Sequence, residues 1–109
     1  MIHVSFHTEL SRIVGFEVKG HSGLAPEGTD ILCAAVTSAV RLTECAVNDV
    51  LGLGATVKAR EKDAFISLSL PGSLGQTAES TCQALLAALM VYLTQLVDEY
   101  PDNIQVLEV

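Results

Sequence analysis

The chain has 109 residues, enough for one domain with a modest core. Half of them are hydrophobic, which excludes a disordered chain, and no uninterrupted apolar run reaches the roughly 18 residues of a membrane span. A formal net charge of −7 disfavours direct nucleic-acid binding and would suit a basic protein partner.

Met1-Ile2-His3-Val4-Ser5-Phe6 alternates as a strand does and lacks a basic leader region, so no signal peptide or membrane segment is expected. Ile2, Val4 and Phe6 form one face, with His3, Ser5 and His7 on the other. His3 and His7 lack a Cys or carboxylate at ligand spacing and read as surface histidines, so no metal is assigned. A hairpin connection at Thr8 to Ser11 leads into a second strand, Arg12 to Lys19, with Val14, Phe16 and Val18 as its apolar face. Gly20 ends it.

Ser22 to Thr29 reads as a loop, because Gly23, Pro26 and Gly28 oppose regular structure. Its composition offers little to hold it down, so Ser22 to Gly28 is expected to be loose and to gate the neighbouring site. Thr29 or Asp30 can cap a helix running to about Leu51. At about 100° per residue, Leu32, Ala35, Ala39, Leu42, Ala46 and Val50 make its apolar stripe. Thr37, Arg41, Glu44 and Asn48 oppose them, and Cys33 falls on that polar side.

Gly52 and Gly54 close the helix. Ala55 to Arg60 and Ala64 to Leu70 form a second hairpin about Glu61-Lys62-Asp63, with Ile66, Leu68 and Leu70 on one face. A second helix runs from about Leu74 or Gly75 to Glu99. Ala78, Cys82, Leu85, Leu89, Leu93 and Leu96 are its apolar stripe, so Cys82 reads as an inert core thiol. Pro101 stops the helix, and Ile104 to Val109 is a last strand. The order β-β-α-β-β-α-β predicts a single α+β domain over residues 1–109, with two long helices packed on a mostly antiparallel sheet.

The chemistry concentrates around His21 and Cys33. A thiol reacts as its thiolate, which a helix N-terminus favours, and an imidazole can take its proton. Cys33 in a helical first turn, on the polar side and across a short loop from His21, meets both needs. Asp30 either caps the helix or orients His21. So close a carboxylate opposes thiolate formation, so Asp30 is not an activator. The N–H groups of Cys33 and Ala34 are the candidate oxyanion donors. The chain has no phosphate-binding loop, Cys-x-x-Cys pair or dinucleotide glycine pattern, so no cofactor is inferred. Three cysteines, an odd count, with no export signal fit free thiols in a reducing cytoplasm.

Gly20-His21, the twelve-residue step from His21 to Cys33, and Asp30-Ile31-Leu32-Cys33-Ala34-Ala35 resemble the signature of the ribosomal-processing cysteine protease family (Prp). Glu99-Tyr100-Pro101-Asp102-Asn103-Ile104 is similar to that family's end, so the resemblance spans nearly the whole chain. It implies a homodimeric cysteine protease that removes a short N-terminal extension from a large-subunit ribosomal protein precursor. The family cuts after an aromatic residue with a Cys–His dyad, and Cys33 and His21 match those positions. Two other readings stand beside it: a non-catalytic ribosome-assembly module with Cys33 incidental, and a thiol redox protein. The redox reading lacks a resolving cysteine, since Cys45 lies roughly 18 Å along the helix from Cys33.

Overall fold

A computed structural model describes residues 1–26 and 29–109. Gly28, expected in the loop, lies outside the described residues. The strands are β1 (Ile2–Glu9), β2 (Arg12–Lys19), β3 (Thr56–Arg60), β4 (Phe65–Ser69) and β5 (Ile104–Glu108). The helices are α1 (Ile31–Glu44), which continues as a π-helical turn over Cys45–Val50, and α2 (Gln76–Glu99). The chain order is the predicted β-β-α-β-β-α-β.

The sheet runs β3-β4-β2-β1-β5. Every pair is antiparallel except β1 with β5, which is parallel. Leu10 and Ser11 join β1 to β2 with φ of 50° and 65°, as a two-residue hairpin turn of matching twist requires. Alternation in β1 holds: Ile2, Val4 and Phe6 are buried, and Phe6 meets Phe16 with ring centroids 5.9 Å apart.

The expected face of β2 needs one correction. A bulge between His7 and Thr8 shifts the register, so that His7 pairs with Gly15 but Thr8 pairs with Ile13. Ile13 is therefore buried and Val14 only half-buried. Gln83 of α2 meets both backbone groups of Ile13: its Oε1 accepts from the N–H at 2.7 Å, and its Nε2 donates to the carbonyl at 2.8 Å.

The stripe of α1 is also corrected. Leu32, Val36, Val40, Thr43 and Val47 are buried, whereas Leu42 is 71% exposed and Val50 76% exposed. This helix is apolar on two flanks. Its β-branched residues fill the space over the sheet, while Ala35, Ala39 and Ala46 line a groove beside Leu85, Leu89 and Tyr92 of α2. Leu42 sits on that second flank. The π-helical turn then widens the coil, with the Leu51 N–H donating to the Ala46 carbonyl at 3.0 Å.

In α2, Cys82, Leu86, Leu89, Leu93 and Leu96 are buried, and burial pushes the Cys82 thiol's pKa up. By length and composition both helices are apolar enough to cross a membrane, Ile31–Val50 over 20 residues and Gln76–Glu99 over 24, which a count of uninterrupted apolar runs overlooks. Here each lays its buried stripe against one face of the sheet, as core helices do. On the other face, His3 Nδ1 lies 3.1 Å from Gln105 Oε1, and His7 lies 3.9 Å from Glu17.

Candidate active site

β2 delivers the chain to Gly20, whose N–H donates to the Ala64 carbonyl at 3.0 Å. Gly20 has φ of +95°, and a Cβ there would stand 2.6 Å from the Met1 carbonyl oxygen. Only glycine makes this turn so close to the backbone before β1. The next residue, His21, is exposed at the mouth of a cavity.

Ser22 follows and is buried, with 2% of its surface exposed. Its N–H donates to Cys33 Sγ at 3.3 Å. Its hydroxyl donates to Asp30 Oδ2 and accepts from the Leu24 N–H at 3.1 Å. Its carbonyl accepts from Asn103 Nδ2 at 2.9 Å. The Ala25 N–H also reaches Asp30 Oδ2, at 3.2 Å, and the Thr29 N–H donates to the Pro26 carbonyl at 3.1 Å. The expectation that little holds this loop down is thus overturned for its first half. Short-range bonds to one carboxylate pin it, and composition does not reveal them.

Asp30 is the N-cap of α1. Its Oδ1 accepts the Cys33 N–H at 3.0 Å, the bond a cap makes to the third helical residue. Of its two expected roles the structure gives it capping, together with the hold on Ser22. The Ser22 hydroxyl foremost, then the Cys33 N–H, lowers the Asp30 pKa to about 2. These donors fix a carboxylate beside Cys33 in its ionised form.

Cys33 is half-buried at the edge of the core. It shares with His21 a cavity of about 680 Å³, also lined by Asp30, Thr37, Ser38 and Arg41. A second cavity of about 320 Å³ carries His21, Cys33 and Arg41 on to Val36, Phe65 and Ile66 beneath the β3–β4 hairpin. Among the described residues no hydrogen bond joins His21 to Cys33. Such bonds are often long in an empty site and tighten with substrate.

The expected oxyanion donors are corrected. The Cys33 N–H is taken by the Asp30 side chain, and the Ala34 N–H donates to the Asp30 carbonyl at 3.1 Å. Helix capping and helix propagation consume both. Thr37, Ser38 and Arg41 line the cavity, and their side chains make no hydrogen bond among the described residues, so they are left to face a ligand. Arg41 was legible only as part of a polar face. The signal that picks it out is the step Cys33, Thr37, Arg41, four residues each, which stacks a thiol, a hydroxyl and a cation on one helical edge. Ser22 and Asn103 carried no such signal.

Groups of both signs meet around the Cys33 sulfur, the Asp30 carboxylate among them. The Ser22 N–H points at the sulfur, the helix N-terminus lies beneath it, and an imidazole and a guanidinium share its cavity. Cys45 is exposed and Cys82 is buried, both free and neither lining this cavity.

A family model described as cysteine protease Prp matches residues 1–105. The ribosomal processing cysteine protease Prp of Bacillus subtilis is 31% identical over 94 residues, covering 86% of this chain and 84% of that protein. The fold is similar to that of an essential ribosomal processing protease Prp from S. aureus, crystallised with a covalently linked product peptide. The TM-score is 0.82 at 20% identity, with 100% of both chains covered. A Streptococcus mutans protein aligns at TM-score 0.85 and 22% identity, over 100% of this chain and 94% of that one.

Proposed function

The chain belongs to the cysteine protease Prp family, and from that premise we propose that it removes the N-terminal extension of a bacterial large-subunit ribosomal protein precursor, with Cys33 as nucleophile and His21 as general base. The observation that carries the proposal is the cavity that the Cys33 thiol and the His21 imidazole share, with the Ser22 N–H aimed at the same sulfur. The names of the B. subtilis and S. aureus relatives support a ribosomal precursor as substrate.

The steps follow from the groups in place. His21 takes the Cys33 proton, and the sulfur attacks the carbonyl carbon of the scissile bond, after an aromatic residue by family resemblance. The carbonyl electrons move onto oxygen, toward the unpaired donors lining the cavity. As they return, the C–N bond breaks and the leaving amine takes the proton from His21. The released amine is the new N-terminus of the ribosomal protein, and the extension stays on Cys33 as a thioester. Water, deprotonated by His21, attacks the thioester. The C–S bond breaks, the extension leaves as an acid, and the thiol regains its proton. No metal or cofactor enters these steps.

Ribosomal precursors are made in the cytoplasm, and the proposed reaction belongs there. A second copy of the chain would cover the α1–α2 groove with its exposed Leu42 and Tyr92, which supports a homodimer. Incubating the purified protein with the host's precursor, read by intact mass, tests the reaction. The expected result is loss of the N-terminal segment by the native protein and none with Cys33→Ala. His21→Ala should be at least ~10²-fold slower, the usual worth of a positioned base. Substantial turnover by Cys33→Ala would overturn the proposal.

A further inference from the structure

The dyad sits at two ends of a connection that the far end of the chain holds in place. Tyr100-Pro101-Asp102-Asn103 forms a turn closed by the Asn103 N–H donating to the Tyr100 carbonyl at 3.0 Å, with Pro101 at the position its fixed φ suits. The Asn103 carbonyl then accepts the Ile2 N–H at 2.9 Å, which locks this residue to the first strand. With its backbone fixed on both sides, its side chain crosses to the Ser22 carbonyl at 2.9 Å. Ser22 is the residue after His21 and carries the N–H that meets Cys33 Sγ.

We propose that Asn103 is a positioning residue for the reaction: by holding the Ser22 carbonyl it fixes the backbone that places His21 and the Ser22 N–H against Cys33. The proposal rests on the dyad reading above. Its physical basis is the set of opposed grips on one stretch. Gly20 is wedged against the Met1 carbonyl, the Ser22 hydroxyl is tied to Asp30, and the Ser22 carbonyl is tied to Asn103. Asp30 belongs to the helix that carries Cys33. Asn103 belongs to the sheet side, where β2 carries the chain into His21. Without Asn103 the sheet side holds this stretch only through Gly20, before His21, while Asp30 still holds Ser22 after it, so the imidazole is freer to shift relative to the thiol. Small misplacements of this kind are costly in rate while leaving ground-state binding nearly intact. Asn103 lines neither cavity that holds the dyad, so it acts through Ser22.

Asn103→Asp keeps the shape of the side chain, removes the donor and turns a carboxylate oxygen toward the Ser22 carbonyl. The substrate is a synthetic peptide spanning the precursor's cleavage site. The expected outcome is a kcat lower by ~10-fold with KM within about twofold. A second readout needs no substrate: the pH profile of Cys33 alkylation by iodoacetamide, followed peptide by peptide so that exposed Cys45 is counted apart. Its midpoint should move to higher pH, because a displaced imidazole and Ser22 N–H stabilise the thiolate less. A purely structural role would lower the melting temperature and leave both kcat and the alkylation midpoint of the folded protein unchanged, and that result overturns the proposal. If Asn103→Asp does not fold, Asn103→Ser is read in its place, since its hydroxyl is too short to reach the carbonyl. The same losses are expected, and native values overturn the proposal. Cys33→Ala and His21→Ala run alongside. Full cleavage by either sinks the dyad reading, while the alkylation profile still decides for Asn103. An inactive Cys33→Ala beside a fully active Asn103→Asp with an unshifted profile sinks only the role of Asn103.

Discussion

Replacing Ser22 by alanine removes one oxygen from a site with 2% of its surface exposed. Two bonds go with it: the hydroxyl's bond to the Asp30 carboxylate and the Leu24 N–H bond it accepts. A hydrogen bond to a charged group contributes ~1.5–3 kcal/mol and an ordinary one about 1. Water can reach the Leu24 amide, so the expected loss is about 2–3 kcal/mol. Against a total stability of roughly 5–15 kcal/mol this is a large share. For a domain of this size it lowers the melting temperature by about 8–15 °C. The loss also depends on pH. The Ser22 hydroxyl is the foremost cause that holds Asp30 near a pKa of about 2, below its ordinary 3.8. A carboxylate with a depressed folded pKa stabilises fully above its unfolded pKa, and that contribution fades as pH falls through the folded value. In Ser22→Ala the Asp30 pKa returns toward the ordinary range, so less stability remains to be lost in acid. The gap between native and variant should therefore be widest near pH 7 and close between about pH 4 and pH 2. Differential scanning calorimetry across that range is the assay. A shift under ~2 °C at neutral pH, or a gap that stays constant into acid, would refute the reasoning.

Gly20→Ala should cost about 1–2 kcal/mol for its positive φ alone, and the contact 2.6 Å from the Met1 carbonyl should move His21 and slow cleavage; an unchanged melting temperature and rate would contradict that. Cys82→Ala should keep full cleavage while losing at least about 1 kcal/mol to the core gap, read by denaturant titration. Leu42→Glu, on a residue 71% exposed, should leave folding intact and halve the mass seen by light scattering; a monomeric native protein would refute the dimer.

The fold was legible where one periodicity dominates. Ile2, Val4 and Phe6 alternate without a competing pattern, and Gly20, Gly52 and Pro101 mark the breaks. Asp30 was legible as a cap because its partner is only three residues away. Reading failed where two patterns compete. In α1 the alanines and valines offer two apolar flanks, and only the sheet beneath selects Val36, Val40 and Val47 over Leu42. It failed again at Val14, because a bulge shifts every later pairing and has no residue signature here. At the site, His21 and Cys33 stood out by their chemistry. Ser22 and Asn103 did not, because an ordinary serine gains its role from folded contacts 8 and 11 residues on, and an ordinary asparagine from one across 81 residues.

That separation bears on when the protein becomes whole during its own synthesis. β5 lies beside β1, the first strand made, and Asn103 reaches Ser22 across 81 residues. At the usual ~5–20 residues per second, about 4–16 s pass between the making of the two. Throughout that interval β1 has an open edge where β5 will pair, and the Ser22 carbonyl lacks its partner. A chain halted before this point holds both His21 and Cys33 yet lacks the tie between the two halves of the molecule. Nascent fragments of this protein would then be released with the two residues of the proposed dyad present and unaligned, among the newly made proteins around them.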